Sequence, residues 1–296
     1  GALTGAANGA VAVGASALAA LTAGEGNVAI GYQSLDAEAT GDSSTAVGYQ
    51  TLTTQTGIDG KVANTAVGYG SIKTITTGIK NTAVGYGTLD AAAHDETSNT
   101  AIGSSAMGAV AQQEASGSGR IAKENVAIGV EALFGGGLAS TKDLIGNIAI
   151  GHEAMNSTGS NAQTGTIAIG HSALTALTSG ARNLAIGYTA GGLITDGTDN
   201  TLIGYQSGNQ GTYGIVGGDY NTGVGSFSLG ASAGAAITGS SNTAIGYNAM
   251  LEAQGAVASN TAVGSGSLQN ITSGSSNVAI GANALDAGTT VNNSIA

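Results

Sequence analysis

Two histidines have the richest latent chemistry in this chain. His152 and His171 each follow a glycine, Gly151 and Gly170, and lie nineteen positions apart. If those segments stack as successive coils, the imidazoles become neighbours, and two His ligands can begin a metal site. The corresponding place elsewhere holds Tyr32, Tyr49, Tyr69, Tyr86, Tyr188, Tyr205 or Tyr247. His is therefore read as an amphipathic ring substituting for Tyr, and no metal site is assigned. His94 sits in the acidic run His94-Asp95-Glu96 and reads as a surface-loop residue. The carboxylates, among them Asp36, Glu38, Asp42, Asp90, Asp143, Asp196 and Asp199, lack the alternating spacing of a calcium loop. Neither Phe134-Gly135-Gly136-Gly137 nor Ala190-Gly191-Gly192 has the Lys-Ser/Thr of a phosphate loop. No catalytic or cofactor-binding residue is assigned; the chain is read as not an enzyme, with no cofactor.

Composition points the same way. Of 296 residues 52 are Gly, none is Pro, Cys or Trp, and 8% are charged, with a net charge of −11. Collagen needs Gly at every third place with abundant Pro, and this chain has neither. At 42% hydrophobic residues it is too apolar for a solvated disordered coil. Seven basic residues against 18 acidic ones exclude a phosphate-binding surface, so nucleic acid is not an expected partner. Without Cys there is neither a disulfide framework nor a thiolate metal site. No run of about 18 apolar residues offers a membrane span, and direct membrane insertion is not expected.

The elements that would position any site are repeats. A core of Ala, Ile or Val, then Gly recurs with its glycine at Gly14, Gly31, Gly48, Gly68, Gly85, Gly103, Gly129, Gly151, Gly170, Gly187, Gly204, Gly225, Gly246, Gly264 and Gly281. The commonest spacing is 17, lengthened elsewhere by insertions. So short a period signals stacked supersecondary units, and the expected fold is all-β, a parallel solenoid of about fifteen short coils. The chain reads as one repeat segment, 1–296, with longer insertions at 104–124, 130–146 and 205–220. Asn293-Ser294-Ile295-Ala296 resembles a sixteenth copy cut short.

Within Asn27-Val28-Ala29-Ile30-Gly31-Tyr32, strand alternation groups Val28, Ile30 and Tyr32 on one face and Ala29 and Gly31 on the other. The expectation is that the bulky face fills the coil and the bare face admits another backbone. Thr often replaces Val28, as at Thr65, Thr82, Thr100, Thr243 and Thr261, so that place should be only partly buried. A second apolar anchor follows four residues after the glycine, from Leu18 and Leu35 to Leu285, and fails only at Gly191 and Gly208. Asn precedes the glycine by four at Asn27, Asn64, Asn81, Asn99, Asn125, Asn147, Asn183, Asn200, Asn221, Asn242, Asn260 and Asn277. Its amide suits a tight corner and, when stacked, a hydrogen-bonded ladder.

The motif as it stands in Ser241-Asn242-Thr243-Ala244-Ile245-Gly246-Tyr247-Asn248-Ala249-Met250 resembles the head repeats of YadA-like trimeric autotransporter adhesins. It is also similar to repeats in bacteriophage tail fibres, and the resemblance spans essentially the whole chain. It implies a left-handed parallel β-roll, three chains about a threefold axis, and Ala29, Ala66, Ala83, Ala149, Ala168, Ala244 and Ala279 in small-residue positions of inner strands. The unit here is longer than the family's usual coil. At the usual strand spacing of about 4.8 Å, fifteen coils would make a rod on the order of 70 Å long.

The expected function is a structural and adhesive fibre segment of a phage tail or capsid fibre attaching to a host surface. Its location would be the virion, outside the cell. Its partners would be two further copies of itself, other virion or anchor proteins, and a host glycan or protein receptor. The alternatives are a bacterial adhesin head on the cell surface and a self-assembling extracellular filament. An ice-binding solenoid would need an unbroken Thr ladder, which Val and Leu interrupt. The insertions 104–124, 130–146 and 205–220 are the expected recognition surface, and the segment around Gln112, Gln113, Glu114, Arg120 and Lys123 is the longest and most polar, with room for a short helix.

Overall fold

The computed structural model describes residues 8–56, 60–91, 96–110, 122–135, 143–158, 162–210, 213–231, 234–287 and 289–296. Among them there is no helix, and the chain is an all-β solenoid of parallel strands. It divides into two compact units, Gly1–Asn147 with Gly159–Ala162, and Ile148–Thr158 with Gln163–Ala296.

Each repeat contributes one three-residue strand, the Val-Ala-Ile of its motif. In the first unit these strands are Val11–Val13, Val28–Ile30, Thr45–Val47, Thr65–Val67, Thr82–Val84, Thr100–Ile102 and Val126–Ile128. Each pairs in parallel with the next in identical register, so Ala29 faces Ala46 and Ala46 faces Ala66. The second unit repeats the arrangement from Ile148–Ile150 to Val278–Ile280. Insertions do not disturb the register: Thr100 still meets Val126 across a spacing of 26. Parallel strands need a crossover between them, and here the remainder of each coil supplies it.

The coil interior corrects the expectation for the two strand faces. Ala29, Ala46, Ala66, Ala83, Ala101 and Ala127 are fully buried, whereas Ile30 is 40% exposed and Tyr32 45%. The small face points inward and the bulky face outward. The interior is filled from elsewhere, by the anchors Leu35, Leu52, Ile72, Leu89, Met107 and Leu133, all fully buried. A third interior place comes seven residues after the glycine, at Leu21, Ile75, Val110, Leu177, Ile194 and Ile271. Coils this narrow leave only Ala-sized space on the strand side once those anchors are in.

The anchors take an unusual backbone. Leu35 has φ 53°, Leu52 52° and Met155 51°, in the left-handed region, and every second residue around the turn does likewise, as at Gln33. A left-handed L-residue costs about 1–2 kcal/mol, while burying a Leu, Ile or Met side chain returns about 1.5–3 kcal/mol. A large apolar residue is thus worth placing where local preference alone would choose Gly. The core glycine has no such latitude. Gly31 has φ 136°, and a Cβ there would lie 2.0 Å from the Gly48 carbonyl oxygen.

The two copies that lack an anchor explain each other. At Gly191 and Gly208 the interior is filled by Leu202, a fully buried Leu standing where other strands have Ala. A Cβ on Gly208 would lie 2.6 Å from Leu202 Cδ1, and one on Gly191 3.0 Å from it. The next strand carries Gly223 in the Ala place, where a Cβ would be 3.1 Å from Leu202 Cδ2. Volume has moved from one wall of the coil to the opposite one.

Candidate functional site

The asparagines form the expected ladder, but inside the coil. All twelve are buried. Asn81 Nδ2 donates to Asn64 Oδ1 at 3.2 Å and to the Glu96 carbonyl at 2.6 Å, while its backbone N–H donates to Asn64 Oδ1 at 2.8 Å. The pattern recurs through Asn99, Asn125 and Asn147, and in the second unit from Asn183 to Asn277. Each amide therefore ties its coil to the preceding one and, through a carbonyl three residues before the next Asn place, to the following one. The tight corner that the sequence suggested for Asn is turned by the left-handed residue before it, Lys80, Ser98, Glu124 or Asp199, each with φ 60°.

At two of the three places where the ladder lacks Asn, a glutamine enters the interior. Ser44 occupies one gap; Gln55 Nε2 donates to Ser44 Oγ at 3.0 Å and to Glu38 Oε2 at 2.7 Å, and Gln55 Oε1 accepts from Asn64 at 2.9 Å. Glu38 is fully buried, and its other oxygen accepts the Gly41 N–H at 2.6 Å. Thr166 occupies a second gap, and there Gln163 Nε2 donates to the Leu177 carbonyl at 2.9 Å. The Glu38, Gln55, Ser44 and Asn64 side chains thus hold neighbouring coils together.

The outer surface has two columns worth building up. The first runs along the strands. The third strand residue is Ile or Val in every repeat and is buried in none, from Val13 at 56% exposure to Ile280 at 64%. The first strand residue, mostly Thr or Val with Ile148, Ile167 and Leu184 among them, is half-buried in all but Val11, as its composition implied.

The second column lies one residue past the glycine corner. Tyr32, Tyr49, Tyr69 and Tyr86 stack with ring centroids 5.1–5.2 Å apart and interplanar angles of 6–20°. In the second unit His152 and His171 stack at 4.9 Å, and His171 continues onto Tyr188 at 5.2 Å and Tyr205 beyond it. The histidines thus occupy the aromatic column as rings among rings. Ser172 Oγ lies 2.9 Å from His171 Nδ1, and Glu153 is 3.8 Å from His152 Nδ1. Among the described residues no three or more His, Asp or Glu side chains converge as metal ligands. Where Ser226 breaks the column, Phe227 comes in edge-on between Tyr205 and Tyr247, at 5.3 and 6.2 Å. Sequence reading missed this repair, whose signal is an aromatic displaced by one place.

Charges on the surface are sparse. Arg182 and Asp199 form a bidentate pair, both bonds 2.7 Å, one coil apart. The guanidinium hydrogen bonds hold the Asp199 carboxyl below the usual carboxylate range. Burial pushes Asp36 and Asp90 the other way, and for Asp90 the nearby Lys73 opposes the rise. His94, Gln112, Gln113, Glu114 and Arg120 lie outside the described residues; Lys123 closes the short strand Ala122–Lys123. No protein-family model matches the chain, and no curated protein matches it.

Proposed function

We propose that this chain is a segment of a homotrimeric attachment fibre, borne on a phage tail or capsid and acting outside the cell. The observation that carries the reading is the outer strand column. Within each unit the Ile or Val residues of this column stay half-buried or exposed in the single chain, and no repeat replaces one by a polar residue. An apolar stripe of that length on a lone chain is a docking face. Covering it recovers about 25 cal/mol per Å² of apolar surface removed from water. Two further copies presenting the same stripe, disposed about a threefold axis, would cover it along its whole length. The repeat motif's likeness to trimeric adhesin heads and tail-fibre repeats supports that number and the left-handed winding of the roll. Such a fibre supplies reach, with further virion or anchor proteins holding it and a host glycan or protein as its target. No step in this role requires catalysis, a cofactor or a metal.

A bacterial trimeric adhesin head is the second reading, favoured by the same motif and the same stripe. Mass measured by light scattering, with and without SDS, tests both. The expected native species is a trimer; a clean monomer overturns the fibre. Val67→Lys with Val84→Lys, placing charge in the outer column, should dissociate it while leaving β-structure intact by circular dichroism. Sequence flanking this segment separates the two origins: a virion-attachment domain indicates phage, a secretion signal with an outer-membrane barrel the cell surface.

A further inference from the structure

The aromatic column of the first unit takes its interval from the in-register stacking of the coils. Tyr32, Tyr49, Tyr69 and Tyr86 occupy four consecutive coils, stand 44–62% exposed, and repeat at 5.1–5.2 Å. Because each ring covers its neighbour's face, what remains open to solvent is a row of ring edges and phenol hydroxyls. Such a row is unsuited to stacking on a ligand and suited to hydrogen bonding at a fixed interval. Stacking also fixes the rotamers in advance, which lowers the ordering cost of binding. The flank is neutral and amide-bearing, with Gln50 Nε2 donating to Gln33 Oε1 at 2.8 Å.

We infer that this column binds a neutral, extended β-1,4-linked glycan lying along the coil axis, one sugar to each tyrosine. A fully extended β-1,4-linked pyranose chain advances by about the same distance per sugar as the rings do per coil. Successive sugars are inverted, so the column meets hydroxyls of alternating kind. A phenol both donates and accepts and so suits either. The chain's net charge of −11 disfavours an anionic polymer and leaves a neutral one unopposed. The column lies one glycine past the Ile/Val stripe, at Tyr32 beside Ile30. This inference rests on the attachment reading and gives its receptor a chemical class.

Binding of β-1,4-linked glucose and N-acetylglucosamine oligomers to the full chain, followed by calorimetry, tests it. Affinity should rise at least about tenfold from disaccharide to tetrasaccharide and then level off as the four phenols are filled. The α-1,4-linked oligomers, whose chains coil out of step, should bind no better with length. Tyr49→Ala with Tyr69→Ala should abolish the gain with length. Tyr49→Phe with Tyr69→Phe, which keeps the stack and removes the hydroxyls, should lose most of it. Equal binding of α- and β-linked chains, no dependence on length, or full binding by the Phe variant overturns the proposal. Mass is read on the same samples: a trimer that ignores the glycan sinks only this inference, and a monomer that binds it sinks only the fibre.

Discussion

Single residues here act through stacking on their own equivalents one coil away. Asn200 illustrates the scale of that coupling. Its Nδ2 reaches Asn183 Oδ1 at 3.1 Å and the Gly218 carbonyl at 2.8 Å, while its Oδ1 accepts the Asn221 N–H at 2.9 Å. Asn200→Ala strands buried donors and acceptors on three coils, and each unmade bond of that kind costs about 1–3 kcal/mol. Denaturant unfolding should show a loss in that range or above it, and Asn200→Asp, which keeps one acceptor and no donor, should fare little better. Asp199 gives the pH dependence. Its folded pKa is lowered, so the pair with Arg182 contributes fully above the ordinary Asp range near about 4 and is lost as pH falls through the lower folded value. A carboxyl titration by NMR should place the Asp199 midpoint below that of a free Asp, and Arg182→Ala should return it upward. Asp90, raised by burial, has the opposite sign: its folded form gains stability as pH falls through its raised value.

At the level of the coil, interior residues compensate for one another. Leu202 reaches the space of the two missing anchors, and Gly191, Gly208 and Gly223 leave room for it. Leu202→Ala should cost about 2–5 kcal/mol by leaving a cavity. Gly208→Leu alone should also destabilise, because even its Cβ would crowd Leu202 Cδ1 at 2.6 Å. Together they restore the usual Ala and Leu at those two places, so the double variant should be more stable than the sum of the two losses predicts. Additive losses in a double-mutant cycle would refute the compensation. The polar version of the same rule is Gln55, which bridges Glu38, Ser44 and Asn64. Gln55→Leu should destabilise the first unit through the buried Glu38 carboxylate, and Glu38→Gln made with it should recover part of the loss.

For the molecule as a whole, the repeat makes one local choice many times over, and its surface consequence in each unit is an Ile/Val column beside a stretch of stacked rings. Stability in such an array is approximately a sum of coil and nearest-neighbour terms. A single charge in the outer column should therefore be tolerated by the fold and felt mainly in assembly. Val67→Lys should shift the concentration at which the trimer dissociates far more than the unfolding midpoint of the separated chain. Equal shifts in both would argue that the column is structural within the chain.

Much of this was legible in the amino-acid order. Register followed from the fifteen glycines, since a backbone packed glycine on glycine tolerates no Cβ. The ladder followed from Asn at a fixed offset, and the half-buried Thr/Val place from its mixed composition. What alternation could not decide was which face turns inward, because period two groups residues without giving a direction. Asn27 held the unused clue: it shares parity with Ala29, so an amide stacked inside carries alanine inside with it. The compensations at Leu202, Gln55 and Phe227 were invisible for a different reason. Each depends on residues one coil apart in space and some seventeen or more apart in sequence, and only the closed coil brings them into the same volume. Composition and spacing thus determined that the chain winds and in what register; the tertiary structure decided that its interior is built of Ala, Asn and left-handed Leu, because a coil this narrow admits large side chains from one wall at a time.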